Sequence, residues 1–140
     1  MTRLTLRLFS VVLLAFAMTA CGDEPETPTA PTAPTTFTET FSGTLTPNGA
    51  RTHSFTSQAS GTVTATLSAL SPDSTVSVGL ALGTLNNSGL CQIVLPNDNA
   101  VVTSIVSGGV SAIGSLCVRI SDVAGTLTQP TNYEIIVVHP

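Results

Sequence analysis

The sequence predicts an all-β protein, an antiparallel β-sandwich of jelly-roll-like form with about eight strands, and three observations predict it. Apolar and hydroxylated residues alternate with period two through much of positions 37–140, which is the pattern of half-buried strands. Short clusters of Gly, Pro, Asn and Ser interrupt that alternation again and again. No stretch of these positions carries a helical period.

The elements follow in chain order. Thr40 to Thr46 and Thr52 to Thr56 flank Pro47-Asn48-Gly49, which reads as a hairpin-type connection. From Gly61 to Leu70, residues Val63, Ala65, Leu67 and Ala69 share one face, while Thr62, Thr64, Thr66 and Ser68 share the other. Threonine suits a solvent face in a sheet because its β-branch is stiff at χ1. Thr75 to Leu82 repeats the pattern with Val76, Val78, Leu80 and Leu82 inward, after a Ser71-Pro72-Asp73-Ser74 turn. Leu90 to Leu95 is predicted to end at Pro96-Asn97-Asp98-Asn99, and Ala100 to Val106 at Ser107-Gly108-Gly109. Leu116, Val118 and Ile120 alternate with Cys117, Arg119 and Ser121, and Tyr133 to Val138 closes the series. Phe41 and Phe55 read as core anchors.

Ahead of this domain lie two different segments. Residues 1–20 begin with Arg3 and Arg7, continue through an apolar run and end in small residues before Cys21. That run falls short of the roughly 20 apolar residues a membrane span needs, and it suits a signal h-region. Met18-Thr19-Ala20-Cys21 resembles a bacterial lipobox, in which the cysteine thiol takes diacylglycerol and becomes the new N-terminus. The expectation is lipidation at Cys21 and a membrane anchor there. Ala15-Phe16-Ala17 offers a competing site for ordinary secretion, and a retained anchor is the third reading. Gly22 stands where an aspartate would resemble an inner-membrane retention signal, so the outer membrane is the expected destination, facing the periplasm or the surface. Residues 21–36 then form a Pro/Thr-rich tether, too poor in apolar surface to fold. In polyproline II it reaches roughly 45 Å. The remaining 37–140 is one domain of ordinary size.

Charge excludes some functions. All four basic residues of the chain are arginines, and the net charge is −4. Within 37–140, Glu39, Asp73, Asp98, Asp122 and Glu134 oppose only Arg51 and Arg119. No basic patch for nucleic acid exists, and an electrostatic grip on anionic lipid is not expected. Trp is absent and the one Tyr is alone, so no aromatic platform stacks sugars or bases.

The three cysteines divide by parity. With Cys21 lipidated, Cys91 and Cys117 are left as an even pair in an oxidising compartment. A disulfide between them closes a loop of about 27 residues, worth about 3–4 kcal/mol in the entropic account. A metal pair and a catalytic thiol are the alternatives; no further Cys or His has matching spacing for the first.

Several motifs occur in a fixed order: Phe41-Ser42-Gly43-Thr44-Leu45, Thr52-His53-Ser54-Phe55, Ser60-Gly61-Thr62-Val63-Thr64-Ala65-Thr66-Leu67, Gly114-Ser115-Leu116-Cys117-Val118-Arg119-Ile120 and Asn132-Tyr133-Glu134-Ile135-Ile136-Val137. Together, over nearly all of Thr38 to Pro140, they resemble the bacterial pre-peptidase C-terminal domain. The resemblance implies a jelly-roll-like β-sandwich with no catalytic role. Such domains trail secreted proteases and other exported enzymes, and some bind collagen or polysaccharide, in places with calcium. Here no protease is expected ahead of the domain. The acidic cluster that holds calcium in the collagen-binding relatives has only Glu39 near its place.

No constellation names a reaction. His53 falls inside the second motif of the resemblance, which implies a structural role. His139 is next to last, where chains fray. Serine is plentiful, but no G-x-S-x-G elbow presents one to a base. The domain acids are scattered, mostly in turns, and read as solvated rather than as a glycosidase pair. Asp98 and Asp122 are the residues that offer oxygen to calcium, without an EF-hand spacing. The expectation is a non-enzymatic envelope lipoprotein with no catalytic residue, no metal site and no cofactor. Its expected partner is the membrane through Cys21; the alternative reading is a binding module for extracellular polysaccharide or protein, acting as an accessory to secreted hydrolases.

Overall fold

Eight strands carry the chain in the computed structural model, which describes residues 34–140. They are β1 (Phe37–Leu45), β2 (Ala50–Ser57), β3 (Gly61–Ser71), β4 (Val78–Leu85), β5 (Cys91–Ala100), β6 (Ile105–Val110), β7 (Gly114–Ser121) and β8 (Thr131–His139). Cys21 and both competing cleavage sites lie outside the described residues, as does most of the tether. One four-stranded sheet has the order β1-β8-β3-β6 and the other β2-β7-β4-β5. Every neighbouring pair is antiparallel. This is the eight-stranded jelly roll of two sheets predicted above.

The alternation in the sequence decides which face is buried. Val63, Ala65 and Leu67 of β3 face Leu80 and Leu82 of β4 and Val118 and Ile120 of β7 across one core, closed by Ile135 and Val137 of β8. Full burial of each large aliphatic side chain contributes roughly 1.5–3 kcal/mol. The opposite face of the first sheet carries the threonines, as expected.

Three local expectations are corrected. Pro47-Asn48-Gly49 does form a tight turn, closed by the Gly49 N–H to Thr46 carbonyl bond of 2.8 Å, with Asn48 left-handed at φ 55°. It is not a hairpin, because β1 pairs with β8 and β2 with β7. Turn chemistry is the same whether the flanking strands pair or part to opposite sheets. Only β4 and β5 are consecutive strands that pair.

The second correction concerns Pro96-Asn97-Asp98-Asn99, which continues β5. Proline is tolerated there because β5 is an edge strand, and the ladder to β4 already shifts register twice. The third concerns Ser107-Gly108-Gly109, which lies within β6. The real turn is 101–104, where Ser104 N–H bonds to the Val101 carbonyl at 2.8 Å. That turn docks on β3: Thr103 N–H donates to the Leu67 carbonyl at 2.8 Å, and Leu67 N–H to the Ser104 carbonyl at 3.0 Å.

Candidate functional site

The lateral edge formed by β1 and β2 gathers residues that are far apart in the chain. Glu39 and Phe41 point inward from β1, His53 and Phe55 from β2, and Tyr133 and His139 from β8. Their parity in each strand sets this, since period two sends every second side chain to the same face. Phe41 stacks on His53 with centroids 4.9 Å apart, and Phe55 lies 5.2 Å from His139. Phe37 also stacks on His139, at 5.8 Å. All four aromatic residues of the domain and both histidines therefore meet in one row.

Two hydrogen bonds fix the row. His53 Nε2 lies 2.7 Å from Tyr133 Oη. Burial lowers the pKa of His53. Burial raises that of Tyr133, against an opposing pull from the Arg51 charge. Both groups are neutral near pH 7, and the more acidic phenol donates to Nε2. His139 Nε2 donates to Glu39 Oε1 at 2.9 Å, and its Nδ1 sits 3.3 Å from the Pro140 carbonyl oxygen. The fraying expected for His139 is overturned: its side chain is 3% exposed and its backbone pairs with Phe37.

Acyl-transfer chemistry needs a hydroxyl held against the base. Among the described residues neither histidine meets a serine or threonine hydroxyl; the partners are a phenol and a carboxylate. An open groove beside the row is lined by Phe37, Glu39, Phe55, Thr56, Gln58 and His139.

Asp122 is buried and organises a loop junction. It accepts backbone N–H groups from Asn48 (2.9 Å), Thr126 (2.9 Å) and Leu127 (3.3 Å). Burial pushes its pKa up, but these donors together with Gly125 outweigh that and hold the carboxyl below its ordinary value. The positive ends of three N–H dipoles already point at the carboxylate, which is the wrong polarity for a calcium site. Asp98 lies on β5, not in a turn. Among the described residues no three His, Cys, Asp or Glu side chains come together as a metal site. Asp73 accepts from the Thr75 hydroxyl (2.7 Å) and backbone (2.8 Å), which lower its pKa. Glu134 accepts from the Ser68 hydroxyl at 2.8 Å.

Cys91 and Cys117 form a disulfide with Cα atoms 5.9 Å apart. It joins β5 to β7 across β4, which lies between them. Gly83 of β4 makes this possible, since a Cβ there would collide with the Gln92 carbonyl and approach Cys117 Sγ to 3.2 Å. On the β5 side, a small apolar cleft of about 80 Å³ opens between the sheets among Val63, Leu82, Val94, Leu95, Gly109 and Leu116.

Sequence reasoning missed the His53–Tyr133 and Glu39–His139 pairs. One signal was present. Gly43 occupies an inward position between Phe41 and Leu45, and an inward glycine in an alternating strand makes room for a large side chain from elsewhere. That side chain is Tyr133. No protein-family model matches the chain, and no curated protein matches it.

Proposed function

We propose that the chain is a non-catalytic envelope lipoprotein, anchored through Cys21 and presenting its jelly roll on the 21–36 tether. The observation that carries the reading is the use of the ionisable groups within the fold. His53, His139, Glu39, Asp122 and Glu134 each serve another residue of the sandwich, so their chemistry goes into architecture. The Cys91–Cys117 bond supports export, because disulfides persist in oxidising compartments. The signal resemblance and Gly22 favour the outer membrane. Growth with a palmitate analogue tests this: the wild type takes the label and Cys21→Ser does not. An unlabelled wild type refutes the anchor.

A second reading makes the domain a binding module for extracellular polysaccharide or protein, acting beside secreted hydrolases as the pre-peptidase C-terminal resemblance implies. The hydroxylated outer face of the first sheet, whose one charged side chain is Glu134, favours it. A glycan and matrix-protein array that stays blank removes this reading and leaves the first intact.

A further inference from the structure

We propose that the outer face of the β1-β8-β3-β6 sheet, at the end where β1 begins, binds an extended neutral polysaccharide lying along β8. The proposal rests on the binding-module reading and gives that reading a site and a ligand class.

The strand registers set side chains of this face in rows. Thr38, Val138, Thr64 and Ser107 form one row across the four strands, and Thr40, Ile136, Thr66 and Ile105 form the next. The outer two threonine columns belong to β1 and β3, and the half-buried Ile136 and Val138 of β8 lie between them. The result is an apolar floor with a rail of hydroxyls on either side. Strand spacing puts the rails about 9.5 Å apart, and successive hydroxyls along a rail about 6.7 Å apart. A pyranose ring with equatorial substituents has matching chemistry: apolar C–H faces above and below, and hydroxyls around its rim. Laid flat, it sets a C–H face on Ile136 and Val138 and its rim hydroxyls against the threonines.

The hydroxyls on the rails are free to take part. Among the described residues, Thr38, Thr40, Thr64 and Thr66 have no side-chain hydrogen bond within the protein; Thr38 and Thr40 are exposed, and Thr64 and Thr66 are half-buried. The far half of the same face differs. There Thr44 bonds Asn132 at 2.7 Å and Ser68 bonds Glu134 at 2.8 Å, so its polar groups are already satisfied by one another.

Charge selects the ligand class. The two rows contain no ionisable side chain, and the one charge further along the face, Glu134, is held by Ser68. Such a surface gives an anionic polymer nothing to pair with, and it disfavours a charged protein by desolvation without compensation. A neutral polyol exchanges hydrogen bonds with water for equivalent ones with threonine and covers the apolar floor.

The test uses the full-length protein purified in detergent. Retention is measured on microcrystalline cellulose, a β-1,3-glucan and mannan, with alginate as the anionic comparison. The wild type is expected to bind at least one neutral polymer and to ignore alginate. Thr40→Val with Thr66→Val removes one hydroxyl from each rail at nearly constant shape, and it should weaken retention about tenfold. Thr52→Val with Ser54→Ala, on the outer face of the other sheet, should leave retention unchanged. Thermal melts of both variants confirm that the fold is kept. Retention on none of the neutral polymers, or preference for alginate, overturns the ligand class. Equal retention by Thr40→Val/Thr66→Val overturns the site, while the binding-module reading survives.

Discussion

A methyl group at position 43 would lie 2.7 Å from Tyr133 Oη, inside van der Waals contact with a ring that cannot retreat. Tyr133 is 3% exposed and held by His53. Gly43→Ala is therefore expected to destabilise the domain by about 1–3 kcal/mol in denaturant titration. Tyr133→Phe, which leaves the ring and removes the hydrogen bond, should cost about 0.5–1.5 kcal/mol. The two carry different signatures: the first is steric and the second polar.

Protonation acts on the same residues. His53 has a folded pKa below its ordinary 6.5, so between those values the unfolded chain binds more protons, and stability falls as pH drops below about 6.5. Asp122 also has a lowered folded pKa. Its contribution is full above the ordinary carboxylate value and is lost as pH falls from there through the folded one. Asp122→Asn should remove that second, more acidic slope and cost about 2 kcal/mol at pH 7, the scale of hydrogen bonds to a charged group. Chemical denaturation from pH 3 to 8 reads both windows. An unchanged acid slope in Asp122→Asn contradicts the role given to the carboxylate. None of this was legible from Asp122 as a lone acid, because its partners are backbone groups of two loops that the sequence does not join.

The strands were legible because hydroxylated and aliphatic residues alternate from Thr62 to Ser68 in β3. The connections were less so. A Pro-Asn-Gly turn looks identical in a hairpin and in a crossing between sheets, and only the long-range pairing of β1 with β8 decides. The boundary of β5 and β6 was misplaced for a related reason. Pro96 and Gly108 are turn formers by local preference, but an edge strand tolerates the first, and the second sits where any Cβ would strike Leu95. Thr103, at φ 79°, is the residue the true turn strains, since a β-branched side chain disfavours that region. Thr103→Asn should stabilise the protein by about 0.5–1 kcal/mol, seen as a higher melting temperature.

The disulfide ties β5, an edge strand, to β7 over β4. Cys91→Ala with Cys117→Ala is expected to cost about 3 kcal/mol. In a domain of this size that lowers the melting temperature by roughly 12–24 °C. A loss under 1 kcal/mol would show that the ladder to β4 alone holds β5.

For the molecule as a whole, stability and the redox state of its surroundings are coupled through that bond. Expressed without residues 1–21 in a reducing cytosol, the chain should carry two alkylatable thiols at Cys91 and Cys117 and melt like the double alanine variant. Intact mass after alkylation checks this. The same protein recovered from an oxidising compartment should show none. Pulling on the chain ahead of β1 brings force into the domain at Phe37, the first residue of a nine-residue ladder with β8 that runs without a bulge. Traction along the strand direction loads all the rungs of that ladder together, as in a lap joint, instead of peeling them one after another. A domain built this way resists being torn open by a load applied at its N-terminal strand.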